Sequence, residues 1–386
     1  MSVFERFGVT PVINACGPVT RLGGGVMHPE VAAAMVEASR LCCDMLDLQA
    51  AACRVIARVT GAEAGIVTSG ASAAVLLGAA SCLAGLDPGR MNRLPQVQGR
   101  REIVVVRSQR NMYDRALVVA GAQLIEVGIP DRYSGPGVRD ADAWEIEDAI
   151  GSETAGVYYL AQKQSVPSLA SVAEIAHRRG VPVLVDAAAQ LPPSANLRAI
   201  LAEGADLVAF SGGKAIGGPQ ASGILCGRAD LVSSALVQML DLDVRPGEWR
   251  APQEFAPLAQ LRGLPHHGIG RSCKAGKEEI IGLLTALERF ATEGDSERRA
   301  RWTLLLKEIA DAGSPLSGAE ISVTGPVPLL RWPTLRAEQI AAALRSGSPS
   351  IACSVVDRAL QISPVSLDPE HAAIIARRLR ELSVAS

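Results

Sequence analysis

Between residues 64 and 228 the hydrophobic pattern alternates between two periods. Short apolar, β-branched runs recur as AGIVTSG (64–70), EIVVVRS (102–108), QLIEVG (123–128), TAGVYYLAQ (154–162), VPVLVDA (181–187), DLVAFSGG (206–213) and SGILCGR (222–228). Each has strand length and most end on glycine, serine or a charged residue, which predicts seven strands. Helical periodicity fills most of the gaps, over 71–85, 112–121, 140–150, 168–179 and 194–203. That alternation predicts an α/β fold with a mainly parallel seven-stranded sheet covered on both faces. The last two strands are separated by too few residues for a helix, so one of them is expected to run antiparallel.

Beyond residue 240 the texture changes. Residues 241–271 are rich in Pro, Gly and Arg with no steady period, which predicts a long irregular segment of functional character. Helical spacing resumes over 275–293 and 296–312, followed by strand-like segments at 321–331 and 350–363 and a terminal helix at 368–383. The expected organisation is a 1–50 N-terminal arm packing with the small domain, a 51–270 large domain and a 271–386 smaller α+β C-terminal domain.

Composition narrows the function. The 386 residues are 48% hydrophobic and 20% charged, which suits a folded chain of two domains. A net charge of −2 and only 3% aromatic residues argue against a nucleic-acid partner. The eight cysteines form no C-x-x-C pair and mostly sit in apolar runs. They are expected to be small buried hydrophobes in a reducing cytoplasm, with no metal site. No basic, apolar leader opens the sequence, and the apolar run 73–86 is too short to span a membrane. A cytoplasmic protein with no membrane partner is expected.

In a parallel sheet, ligands bind beyond the carboxyl ends of the strands. The residues there are Thr68-Ser69-Gly70, Gln109-Arg110-Asn111, Gln162-Lys163, Asp186 and Ser211 through Lys214. TSGASAAVLL (68–77) is a strand, a tight turn and a helix start, where free N–H groups suit a phosphate. Asp186 ends an apolar strand. Lys214 follows at the end of the next, enclosed by glycines in LVAFSGGKAIGGPQASG (207–223). An anion cradle, a carboxylate and a lysine on one edge match pyridoxal 5'-phosphate (PLP). Its phosphate needs the helix start, its ring nitrogen an acid and its aldehyde an amine. A non-catalytic phosphate-binding protein would use the same loops, although neither a G-x-x-x-x-G-K-[ST] nor a G-x-G-x-x-G pattern accompanies them.

VINACGPVTRLGGGVMHPEV (12–31), TGAEAGIVTSGASAA (60–74), RNMYDRA (110–116), GVPVLVDAAAQLPP (180–193), DLVAFSGGKAIGGPQASGILCGR (206–228) and HGIGRSCKAGKEEIIGLLTALE (267–288) carry a resemblance. They resemble the fold-type I PLP family that includes bacterial selenocysteine synthase (seryl-tRNA selenium transferase). The likeness is greater still to its D-glucosaminate-6-phosphate ammonia-lyase branch. That resemblance implies Lys214 as Schiff-base lysine and Asp186 as pyridinium partner. It implies Ser69, Gly70 and Ala71 around the phosphate, with Ser211 as a further contact and Ala188 against the ring. It also implies a homodimer or larger homo-oligomer with shared sites, in which the PHHGIGR loop (265–271) serves the neighbouring subunit. Relatives carry histidine where Gln109 stands, so ring contact passes to Gln109 or Arg110.

In the same loop Arg271, whose guanidinium can grip a carboxylate or phosphate bidentately, is the candidate substrate ligand together with His267. The expected activity is α-proton abstraction and elimination on a small amino acid or amino sugar acid, in the manner of an ammonia-lyase. Racemase and β-replacing transferase are the alternatives. A tRNA-dependent reaction is not expected, because the matching segment begins at residue 12 with no tRNA-binding domain before it.

Overall fold

The computed structural model describes residues 2–129, 140–245, 247–312 and 318–384; position 246 of the irregular segment lies outside them. Its strands are β1 (Val12–Asn14), β2 (Ala64–Thr68), β3 (Glu102–Val106), β4 (Gln123–Val127), β5 (Thr154–Leu160), β6 (Val183–Asp186), β7 (Leu207–Ser211), β8 (Gly223–Gly227), β9 (Glu320–Ser322), β10 (Leu329–Pro333), β11 (Ser350–Ala352), β12 (Ser354–Val356) and β13 (Ala359–Ile362). Seven form the large sheet, in the order β2-β8-β7-β6-β5-β3-β4. Only β8 runs against its neighbours, pairing antiparallel with both β2 and β7. This is the reversed strand that the short connection required.

Period-two alternation sorts the sheet into two buried faces. Val157, Tyr159, Val183, Val185, Val208 and Phe210 belong to one hydrophobic cluster, and Tyr158, Leu184, Leu207, Ala209 and Leu225 to the other. The helix Ala71–Ala84 covers the second face and is apolar nearly all round, as a helix buried on every side must be. At Gly78 an added Cβ would lie 2.7 Å from Leu184 Cδ1. That glycine lets the helix sit low on the strand ends and fixes where its N-terminus points.

The C-terminal region holds a four-stranded antiparallel sheet, β12-β13-β10-β9, packed with the helices Asp295–Ala312 and Pro369–Val384. The segment predicted as one strand over 321–331 is two, because Gly325, Pro326 and Pro328 turn the chain between β9 and β10. The segment predicted over 350–363 is three. It changes sheets at Cys353 and reverses at Asp357–Arg358, both at positive φ. The helix Ala337–Ser346 was not predicted, although Ala337, Ile340 and Leu344 bury one face at helical spacing.

The N-terminal arm is shared between the two packing units. β1 pairs in parallel with β11, and Ile13 and Ala15 join the C-terminal cluster. The helices Pro29–Ala38 and Met45–Thr60 pack instead on Lys277–Thr292, whose Ile280, Leu283, Leu287 and Phe290 belong to the large-sheet core. Residues 241–271 are not wholly irregular. Their 3₁₀ run Gln253–Gln260 buries Phe255 and Leu258, an apolar pair hidden in a Pro-rich context. The expectation of buried cysteines holds for Cys53, Cys226 and Cys273. Cys42 and Cys43 are exposed where the chain passes between two helices, and Cys16, Cys82 and Cys353 are half-buried.

Candidate active site

The carboxyl ends of β2, β6 and β7 and the first residue of β8 share one edge. Gly223 lies opposite Thr68 on one side and Ser211 on the other. Gly70, at φ +122°, turns the chain into the helix Ala71–Ala84, and Ala74 N–H is the first to reach back, to Gly70 O at 3.0 Å. The N–H groups of Ala71, Ser72 and Ala73 therefore have no acceptor within the helix. A Cβ at Gly223 would lie 2.4 Å from the Gly70 carbonyl carbon and 2.6 Å from Ala71 N, while one at Gly70 would meet nothing within 4 Å. The turn is thus backed by bare backbone on one side and open on the other, a cradle for an anion. Ser69 N–H is already committed to Cys273 O at 3.0 Å, which ties the 268–273 turn to the cradle.

Filling the back of this cradle tests it. Gly223→Ala must push the Gly70–Ala71 peptide away from β8. It is expected to weaken PLP binding, read by absorbance titration, with a stability loss of about 1–3 kcal/mol in urea unfolding.

Asp186 ends β6 and is buried; its Oδ1 accepts from Ala188 N–H at 3.0 Å and its Oδ2 from Tyr158 Oη at 3.2 Å. Burial pushes its carboxyl up, and the Ala188 N–H, the Tyr158 hydroxyl and the Lys214 charge oppose that rise. Lys214 follows β7 on a closed turn. Gly212 N–H donates to Ser222 O at 2.9 Å across its base, and Gly217 N–H to Lys214 O at 3.0 Å. Gly213 could not be another residue, since its Cβ would lie 2.6 Å from Gln220 Cα. Among the described residues the Lys214 amine takes part in no hydrogen bond or ion pair.

Lys214 lines a cavity of about 310 Å³ that lies between the two packing units. Ala189, Leu191 and Pro192 form one wall with Lys214, and Cys16, Leu329, Ser354, Gln361 and Ser363 belong to the others. The small-domain residues of this wall were missed in the sequence, because nothing local marks β10 and β13 as neighbours of residue 214.

The other candidates lie elsewhere. Gln109 is buried, and its amide is spent on backbone: Oε1 accepts from Leu160 N–H at 3.0 Å and Nε2 donates to Val166 O at 3.3 Å. Arg110 is held in ion pairs with Asp114 and Glu126, and the Asp114 carboxylate raises its pKa further. Arg271 donates to Asp241 Oδ2 at 2.8 Å, and His267 lies 3.4 Å from Asp241 Oδ1. Those two residues therefore cluster on Asp241 and do not line the Lys214 cavity. His28 caps the helix Pro29–Ala38, its Nδ1 accepting from Glu30 N–H at 3.2 Å.

The committed amide of Gln109 has a measurable consequence. Gln109→Ala is expected to cost about 1–3 kcal/mol in urea unfolding, since it leaves two buried backbone groups unpaired. Unchanged stability with an altered cofactor spectrum would instead make it a ring contact.

The family model for SelA: L-seryl-tRNA selenium transferase matches residues 12–243. The chain belongs to that family. The family match takes in every strand of the large sheet, the cradle, Asp186 and Lys214. A 5'-C-glycyluridine monooxygenase-decarboxylase from Streptomyces sp is 29% identical, over 98% of this chain and 91% of that protein. D-glucosaminate-6-phosphate ammonia lyase from Salmonella typhimurium is 28% identical, over 99% and 98% respectively. A solved D-glucosaminate-6-phosphate ammonia-lyase superposes with a TM-score of 0.80 at 26% identity, covering 100% of this chain and 99% of that one. The architecture is fold type I, and family and fold together make the chain a PLP-dependent enzyme. No helix among the described residues is long and apolar enough to cross a membrane.

Proposed function

We propose that the chain is a PLP-dependent ammonia-lyase acting on a small amino acid or amino sugar acid. The observation that carries this reading is the convergence of cradle, buried carboxylate and glycine-set lysine on one sheet edge, beside an open cavity. The residues present fit the cofactor: the bare backbone behind Gly70 accommodates a phosphate, and Asp186 retains acceptor capacity beyond its two hydrogen bonds. When bound, the cofactor withdraws electrons from the substrate carbon next to the amine.

The chain's own residues do the rest. The N–H groups of Ala71, Ser72 and Ala73, with Ser211 nearby, hold the phosphate. Asp186 would keep a proton on the ring nitrogen, with Ala188 as the residue that would face the ring. The Lys214 amine would hold the cofactor's aldehyde, and as a free amine it would take the proton from Cα and give it to the departing group. Cys16, Ser354, Gln361 and Ser363 line the same cavity as Lys214 and offer polar groups to a substrate. Loss of water or another β substituent, followed by hydrolysis, gives ammonia and a keto acid.

A homodimer belongs to this reading. Arg271 and His267 stand outside their own chain's cavity, which is compatible with a role toward a neighbouring subunit's. The test is incubation with amino acids and amino sugar acids in deuterated water. Equimolar ammonia and keto acid, with no acceptor added and no oxygen consumed, is expected. Deuterium at Cα with inverted configuration and no ammonia would make the enzyme a racemase. Oxygen uptake with carbon dioxide release would place its chemistry with the Streptomyces relative.

A further inference from the structure

Tyr158 has no part in the sequence-based assignment, yet it makes the one side-chain hydrogen bond seen on Asp186. It lies on β5 beside β6, with Tyr158 opposite Leu184 and Leu160 opposite Asp186, so its ring shares a face with the carboxylate. At 1% exposure the ring is fixed by packing, and its hydroxyl has little choice of direction. Asp186 is thereby held from two sides, by Ala188 N–H on Oδ1 and Tyr158 Oη on Oδ2. Two donors on different oxygens fix the plane of the carboxylate, and each oxygen keeps a free lone pair.

We propose that Tyr158 is a positioning residue: its hydroxyl, donated to Oδ2, keeps Asp186 ionised and turned to hold a proton on the cofactor's ring nitrogen. The inference rests on the assignment of Asp186 under Proposed function. The charges around the pair act in the same sense. Lys214 supplies positive charge to Asp186 from the turn after β7. From the turn after β3, Asp114 places negative charge near the phenol, and the Asn111 side chain that faces it acts weakly the other way. Burial, then the charge of Asp186, push the phenol's pKa far up, so it remains an O–H donor throughout the working range. A carboxylate buried this deeply and given only one donor would tend to take up a proton. A neutral Asp186 could not favour a protonated ring.

The test compares two ligands on reconstituted apo-protein: PLP and the analogue in which carbon replaces the ring nitrogen. Wild-type protein should prefer PLP. Tyr158→Phe removes only the hydroxyl and is expected to shrink that preference about tenfold, by weakening PLP alone. An unchanged preference, or equal weakening of both ligands as for a merely structural tyrosine, overturns the proposal. In an Asp186→Asn background the tyrosine change should no longer alter the preference. If Asp186→Asn by itself leaves the preference intact, the assignment of Asp186 fails, and the role of Tyr158 falls with it. Should Tyr158→Phe not fold, Asn111→Ala takes its place, with an expected loss of about threefold. An unaltered preference in that variant rejects the inference.

Discussion

Alanine at position 214 lowers turnover by about 10³-fold and leaves no pyridoxyl group on the protein after borohydride reduction. The wild-type chain, treated in the same way, is expected to carry that group on the peptide containing Lys214. The expectation rests on placement. Lys214 is on the wall of the cavity beside the Asp186 loop, and its amine is not engaged by any described neighbour. Lys163 and Lys274 also stand near strand ends or the cradle in the sequence, but neither lines this cavity. A pyridoxyl group on Lys163 or Lys274 would refute the assignment. So would an alanine variant that turns over at the wild-type rate.

Asp186→Ala is expected to reduce turnover by about 10²- to 10³-fold while PLP still attaches through Lys214. In the proposed reading the carboxylate's work is electrostatic, holding a proton on the ring nitrogen, and alanine removes it without filling the cradle. A pH experiment separates this role from a packing one. Burial raises the Asp186 carboxyl above its unfolded value of 3.8, so in apo-protein the native state binds the proton more tightly than the unfolded state. Stability conferred by Asp186 is therefore greatest at low pH and declines as pH rises from that unfolded value through the raised one. The alanine variant should lose this decline, gaining on wild type as pH rises in urea unfolding of the apo-proteins. A variant that keeps both the decline and full turnover would end the assignment.

Much of the large domain could be read in advance because its signals are local. Strand after strand, runs such as EIVVVRS and VPVLVDA carry their own length and their own breakers, and the short link from β7 to β8 announced the reversal. Lys214 and Asp186 could be found for the same reason, since glycine setting and a strand-ending acid are visible within a dozen residues. Tyr158 could not. It looks like any aromatic in the apolar run TAGVYYL, and only the register of β5 on β6 brings its hydroxyl to Asp186. Gln109 and Arg110 drew attention as ring contacts by position, whereas their partners Val166 and Glu126 are 57 and 16 residues away. The split of 350–363 into three strands turns on a change of sheet and on two positive-φ residues, neither of which alternating hydrophobicity records.

The turn that bears Lys214 is closed at its base by the Gly212–Ser222 hydrogen bond, and glycines pack it against Gln220 and Leu283. It has almost no freedom to vary in sequence or in position. The opposite side of the cavity is built from β10, β12 and β13, short strands of a separate sheet whose side chains can change without disturbing that turn. In the proposed reading, substrate selectivity can therefore vary at Leu329, Ser354 and Gln361 while the turn that holds Lys214 stays fixed. Libraries randomised at those three positions should yield altered selectivity far more often than inactive protein.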